Sequence, residues 1–144
     1  MSASTQGSSP TGKVVVLDTG AILAGVPLAT PLKCYTTVEV VEEVKDSESR
    51  AVLERAVEAG RVEVVEPSSS YVRVAESLAR RAGTLGHLSS TDLKVIALAV
   101  ELKDKGLEVV IASDDYKVQR TALEASIEVL RVRYRGLREI GSKR

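Results

Sequence analysis

The chain has 144 residues, 44% of them hydrophobic, which is enough for a single domain with one core. Twenty basic and twenty acidic residues cancel, and no apolar run approaches the roughly 20 residues that crossing a bilayer requires, so a membrane-spanning role is not expected. The one cysteine, Cys34, and the one histidine, His87, exclude an internal disulfide and a Cys/His zinc site, so any metal here must be held by oxygen.

Residues 1–12 are polar and uncharged rather than basic and then apolar, which predicts a disordered leader and not a secretion signal. The folded domain is expected over residues 13–135, in a cytoplasmic protein, with a basic tail over 136–144. Asn is absent and Gln occurs twice, a depletion of thermolabile residues that resembles thermophile proteins.

The first element is the run Val14-Val15-Val16-Leu17, a continuous apolar strand that delivers Asp18 at its carboxyl end. Such runs suit parallel sheets covered on both faces, where ligands collect outside the strand C-termini. Asp18 also has a plain structural reading, as the cap of a short helix over Thr19 to Ala24. Gly25 through Pro31 reads as a loop and Lys33 to Thr36 as a short strand. Thr37 is a good N-cap for a helix to Lys45 whose apolar stripe is Val40, Val41 and Val44. On a helical wheel Glu43 lies slightly closer to that stripe than Glu39 or Glu42, although an acidic solvated face explains all three.

Ser47 opens a second helix with Ala51, Leu53, Val57 and Ala59 as its apolar positions, and Gly60 closes it. Arg61 to Val65 is expected to be a strand. Pro67-Ser68 starts a helix to about Ala82, and a loop over residues 83–87 leaves His87 at the surface. The next helix, Leu93 to Lys105, follows Ser89-Ser90-Thr91-Asp92. Ser89 with Asp92 has the spacing of a capping box. The wheel also sets Asp92 on the face of Val95, Ile96 and Ala99, opposite Lys94, Glu101 and Lys105, and an inward carboxylate needs a partner or a cation.

Leu107 to Ser113 is a second apolar strand discharging acid, here Asp114 and Asp115. A helix with Tyr116, Val118, Ala122 and Leu123 as apolar positions follows, then a last strand, Ile127 to Tyr134. There Leu130, Val132 and Tyr134 alternate with Arg131, Arg133 and Arg135. Strand and helix alternate throughout, which predicts an α/β/α sandwich with a mainly parallel sheet of about five strands. Residues 131–144 carry a net charge of +5 and the rest −5. A basic end on an acidic body suits a polyanionic partner, or equally the protection of an edge strand.

Asp18, Glu43, Asp92, Asp114 and Asp115 are therefore the candidate catalytic residues. If they converge, like charges raise one another's pKa unless a cation intervenes. Oxygen ligands favour Mg²⁺ or Mn²⁺, which can activate water and hold a phosphate during phosphodiester hydrolysis. No phosphate-binding glycine loop is present to support a nucleotide cofactor.

Four stretches carry a resemblance. Val16-Leu17-Asp18-Thr19-Gly20, Thr36-Thr37-Val38-Glu39-Val40-Val41-Glu42-Glu43, Leu88-Ser89-Ser90-Thr91-Asp92 and Ser113-Asp114-Asp115-Tyr116 together resemble the PIN-domain ribonucleases. Within that family the wording is similar to the endonuclease branch that trims the 3′ end of small-subunit ribosomal RNA in archaea and eukaryotes. The resemblance implies a PIN-like α/β/α sandwich whose acids bind Mg²⁺ or Mn²⁺, with Asp18, Asp92, Asp114 and Asp115 as metal ligands. It further implies single-stranded RNA as substrate, with precursor ribosomal RNA or the small ribosomal subunit as partner and a homodimer as one assembly. Arg131, Arg133, Arg135 and Tyr134 are expected to hold the RNA. That branch usually continues into a zinc ribbon, of which this sequence has no Cys-x-x-Cys. Two alternatives stand: a toxin ribonuclease with an antitoxin partner, and a catalytically silent RNA-binding module.

Overall fold

The computed structural model describes residues 12–133. The expected leader up to residue 11, Tyr134, Arg135 and the tail over 136–144 lie outside the described residues. Strand β1 (Lys13–Leu17) is the middle of a five-stranded sheet. Its Val14, Val15, Val16 and Leu17 are all buried, as a strand covered on both faces requires. The chain continues through α1 (Thr19–Leu23), α2 (Val26–Ala29), β2 (Cys34–Thr36), α3 (Val38–Glu43), α4 (Ser47–Glu58) and β3 (Val62–Val64). It returns through α5 (Ser69–Ala82), a 3-10 turn (Leu85–His87), α6 (Ser90–Asp104), β4 (Glu108–Ser113), α7 (Tyr116–Glu124) and β5 (Glu128–Arg131).

The strand order is β3-β2-β1-β4-β5 and every pairing is parallel. Parallel connections are right-handed, so moving outward from β1 to β3 and then back past β1 to β5 puts the two sets of helices on opposite faces. The packing agrees: α1 meets α2, α3 and α4, whereas α5 meets α6 and α7, and α6 lies on β1 and β4. The chain thus folds as the expected α/β/α sandwich. No helix among the described residues is long and apolar enough to cross a membrane.

Local chemistry accounts for the element ends. Thr37 accepts a hydrogen bond from the Val40 amide at 3.2 Å and starts α3, and Asp46 accepts from Ser49 at 2.9 Å and starts α4. The segment after Gly25, expected as a loop, contains α2. Gly25 stands at φ 85°, a left-handed turn that glycine adopts freely, and Pro27 falls in the first helical turn, where its missing N–H is harmless.

Several apolar positions lie outside the core expected for them. Val57 is 37% exposed, Tyr116 64%, Leu123 58% and Leu130 44%. In α7 the buried arc is Val118, Gln119, Thr121 and Ala122, because two polar residues find partners inside. Gln119 donates to the Ser113 carbonyl at 2.8 Å, and Thr121 shares a hydrogen bond with Thr84 at 2.6 Å. β5 ends at Arg131, and its inward contacts come from Ile127 and Val129 together with Val132. His87 is exposed, as expected. Cys34 is buried, which pushes its thiol up to about 11 and leaves it unreactive.

Lys94, expected on the wet side of α6, instead reaches two acids. Its Nζ lies 2.6 Å from Glu39 on α3 and 2.8 Å from Glu66 after β3. Both hydrogen bonds raise the lysine pKa, and the bond from Lys94 lowers that of Glu39, so Lys94 and Glu39 stay ionised as a pair at working pH. The second oxygen of Glu39, Oε1, is buried without a partner among the described residues. Removing the cation leaves that carboxylate uncompensated. Lys94→Met should therefore lower the melting temperature clearly, and Lys94→Arg much less. Equal melting curves for the wild type and Lys94→Met would mean that the two acids are held by something else.

Candidate active site

In an open parallel sheet the crevice forms where consecutive connections leave in opposite directions, outside the strand C-termini. Here that point lies between β1, from which the chain leaves toward β2, and β4, which flanks it on the other side. Leu17 pairs with Ala112 in register, and the Asp18 amide donates to the Ala112 carbonyl at 3.3 Å. Asp18 and the Ser113-Asp114-Asp115 turn therefore leave the sheet side by side.

Asp18 is only 5% exposed. Its Oδ1 accepts from the Ala21 amide at 2.8 Å, so the capping role is real. Capping does not explain its electrostatics. Burial is the main cause that pushes its pKa from 3.8 up to about 6, opposed by the Ser113 hydroxyl and the Ala21 amide. The charges of Asp114 and Asp92 push it further in the same direction. None of these influences is a cationic side chain.

Asp114 is brought close by a missing atom. A Cβ built on Gly20 would stand 2.1 Å from Asp114 Oδ1 and 2.3 Å from its carboxyl carbon. The carboxylate thus occupies the space that any side chain at position 20 would need, directly over the first turn of α1. Asp115 is committed differently. Its side chain accepts from the Lys117 amide at 2.8 Å and caps α7, while its own amide donates to Ser113 Oγ at 3.0 Å. Of the two neighbouring acids, Asp114 faces α1 and Asp115 closes its own turn.

Asp92 is half-buried and forms the expected capping box. Its Oδ2 accepts from the Ser89 amide at 3.0 Å and its amide donates to Ser89 Oγ at 3.1 Å, the reciprocal capping box. It is also near enough to Asp18 to act on its charge. Glu43 is exposed rather than turned into the apolar stripe, because α3 stops at Glu43 and the buried positions are Val40 and Val44. It still reaches the site region, accepting from the Thr19 hydroxyl at 2.7 Å, one residue beyond Asp18. Arg131 and Arg133 are exposed, and Arg131 pairs in register with Ser113 at the crevice end of β4.

Three residues near these acids have parts that the sequence reading did not assign, although Gly20 and Gln119 lie within stretches it singled out. Gly20 carries no chemistry of its own, and only the close approach of Asp114 reveals its part. Gln119 fixes the Ser113 carbonyl from inside the protein. Lys94 joins the helix that bears Asp92 to the helix that bears Glu43. No local periodicity signals any of these, since each depends on a partner from elsewhere.

Among the described residues, no three His, Cys, Asp or Glu side chains are grouped closely enough to hold a metal ion together. The chemistry of the acids around Asp18, taken apart from their spacing, is of the kind a hard divalent cation prefers. The donors are all oxygen, and the buried carboxylate of Asp18 feels the negative charges of Asp114 and Asp92.

Sequence comparisons bear on the same stretches. The family described as "PIN domain of ribonuclease" matches residues 15–102. "Ribonuclease VapC3" of Aeropyrum pernix is 49% identical over 137 residues, which cover 94% of this chain and 99% of that protein. "Endoribonuclease Nob1" of Pyrococcus abyssi is 39% identical over 126 residues, covering 88% and 72%. "20S-pre-rRNA D-site endonuclease NOB1" of Saccharomyces cerevisiae is 32% identical over 95 residues, covering 64% of this chain and 20% of that protein.

Proposed function

The chain belongs to the PIN-domain family of ribonucleases, and from that premise we propose that it is a metal-dependent endoribonuclease cutting single-stranded RNA during ribosomal RNA maturation. The observation that carries the chemical part is Asp18, a buried carboxylate at the switch point of the sheet, acted on by Asp92 and Asp114 with no cationic side chain among the influences on it. Asp18, Asp92, Asp114 and Asp115 would hold Mg²⁺ or Mn²⁺. Such an ion, when bound, supplies Lewis-acid polarisation of a phosphate and acidification of water.

The remaining work falls to the chain. Glu43, anchored by Thr19, completes the acid set at its open side and orients the attacking water. Ser113 steadies Asp18 through its hydroxyl, and Gln119 holds the Ser113 backbone. Arg131 and Arg133, with Arg135 and Tyr134 beyond the described residues, contact the RNA backbone and position the strand. Similarity to proteins named Endoribonuclease Nob1 and 20S-pre-rRNA D-site endonuclease NOB1 supports ribosomal RNA as the target.

The test is incubation with precursor ribosomal RNA and Mn²⁺, beside a non-ribosomal RNA of equal length and a control in chelator. The expected result is one cut near the small-subunit 3′ end, lost in chelator. Indiscriminate cutting of both RNAs would remove ribosomal maturation from the proposal, and cutting in chelator would remove the metal. A second reading, the toxin of a toxin-antitoxin pair, is favoured by similarity to Ribonuclease VapC3 along nearly the whole of that protein. Co-purification of a short inhibitory chain that blocks cleavage would select it.

A further inference from the structure

The described tyrosines are used unequally. Tyr35 is 7% exposed within the sheet, and Tyr71 donates its hydroxyl to Asp104 at 2.9 Å. Tyr116 is 64% exposed, in a chain that has neither Phe nor Trp. Its position is specific: it is the first residue of α7 and directly follows Asp114 and Asp115 at the crevice end of β4. Arg120, also exposed, is one helical turn further along, so the two side chains share a face of α7.

The surroundings define what such a ring can do. The crevice is lined by carboxylates, which repel the phosphates of an approaching strand. An aromatic face attracts a base without using charge and tolerates any base, because every base has a π-face. An exposed ring that directly follows the acids in the chain would supply attraction where basic side chains would be neutralised by them. Arg120, whose Nε donates to the Ala82 carbonyl at 3.0 Å and is thereby fixed on the surface, offers positive charge to the next stretch of backbone.

We propose that Tyr116 is a substrate-binding residue that stacks on one unpaired base of single-stranded RNA next to the scissile phosphate, with Arg120 contacting the adjoining backbone. The proposal rests on the ribonuclease reading above and adds to it a subsite on α7, separate from Arg131 and Arg133. It demands an unpaired base at that subsite, so a duplex is a poor ligand there.

The test is fluorescence anisotropy with a short labelled single-stranded RNA in chelator, using the wild type, Tyr116→Ala and Tyr116→Phe. Because the side chain is exposed, both variants should keep the wild-type melting curve. Tyr116→Ala should bind about 5- to 150-fold more weakly, the range for loss of one stacked base, while Tyr116→Phe binds normally. Abasic nucleotides are then placed one at a time along the RNA. One position should weaken the wild type yet cost Tyr116→Ala nothing, a coupling that a merely structural tyrosine would not produce. Cleavage by the wild type together with unchanged affinity of Tyr116→Ala, or abasic costs identical in the two proteins, overturns the stacking assignment alone. Neither binding nor cleavage by the wild type overturns the ribonuclease reading and this inference with it.

Discussion

Asp18→Asn is expected to make the protein more stable and to stop RNA cleavage. Asn is as good an N-cap as Asp, so its side-chain oxygen keeps the hydrogen bond from the Ala21 amide. What disappears is a buried negative charge. The folded-state pKa of Asp18 is raised to about 6 from 3.8, so between those values the folded chain holds a proton that the unfolded chain has released. Stability must then fall as pH rises through that window and stay low above it. The roughly two-unit displacement corresponds to about 3 kcal/mol at neutral pH. Thermal unfolding in chelator should show Asp18→Asn melting several degrees above the wild type at pH 8, with the gap closing by pH 4. Addition of Mn²⁺ should raise the wild-type melting temperature and leave that of the variant unchanged. Cleavage should fall at least about 100-fold, since even outer partners of a metal site cost up to that much. A variant melting below the wild type at pH 8 would contradict the buried, uncompensated charge.

The second large effect separates two roles of one residue. Asp92→Asn should abolish cleavage, again by at least about 100-fold, while costing no more than about 1 kcal/mol through the lost charge near the start of α6. The amide oxygen of Asn can still accept from the Ser89 backbone, and the backbone amide of residue 92 still donates to Ser89 Oγ, so both bonds of the capping box survive. Ser89→Ala is the reverse experiment. It deletes the hydroxyl that accepts from the Asp92 amide and should cost about 1 kcal/mol of stability, but it leaves the carboxylate in place and cleavage largely intact. If the two variants lose stability and activity in the same proportion, Asp92 acts only as a cap.

The contrast between these variants reflects what was legible before any coordinates. Strand β1, strand β4, the capping box and the acids that follow them are written in contiguous residues, because a parallel strand buried on both faces is apolar without interruption. Alternation of strand and helix announces a parallel sheet, whereas its order, with β1 in the middle, is set by packing between distant segments. What stayed hidden depends on distant partners. Lys94 looked solvent-facing because a helical wheel assumes one wet side, yet its acids lie 55 and 28 residues away in the chain. Tyr116 and Leu123 looked like core because apolar residues are assigned inward by default. Gln119 and Thr121 took the inner positions instead, each meeting a group that no local pattern announces. Glu43 was singled out on a slender margin of angle. Its placement came from the early end of α3 and the hydroxyl of Thr19.

The bridge at Lys94 has a mechanical corollary. Glu43 and Asp92 ride on helices belonging to different layers, and sliding of one layer past the other would separate them before any strand parted. An ammonium on α6, held by Glu39 of α3 and by Glu66 just beyond β3, resists that shear. The spacing between the two acid-bearing helices is thus held by a side-chain tie as well as by the strands beneath it.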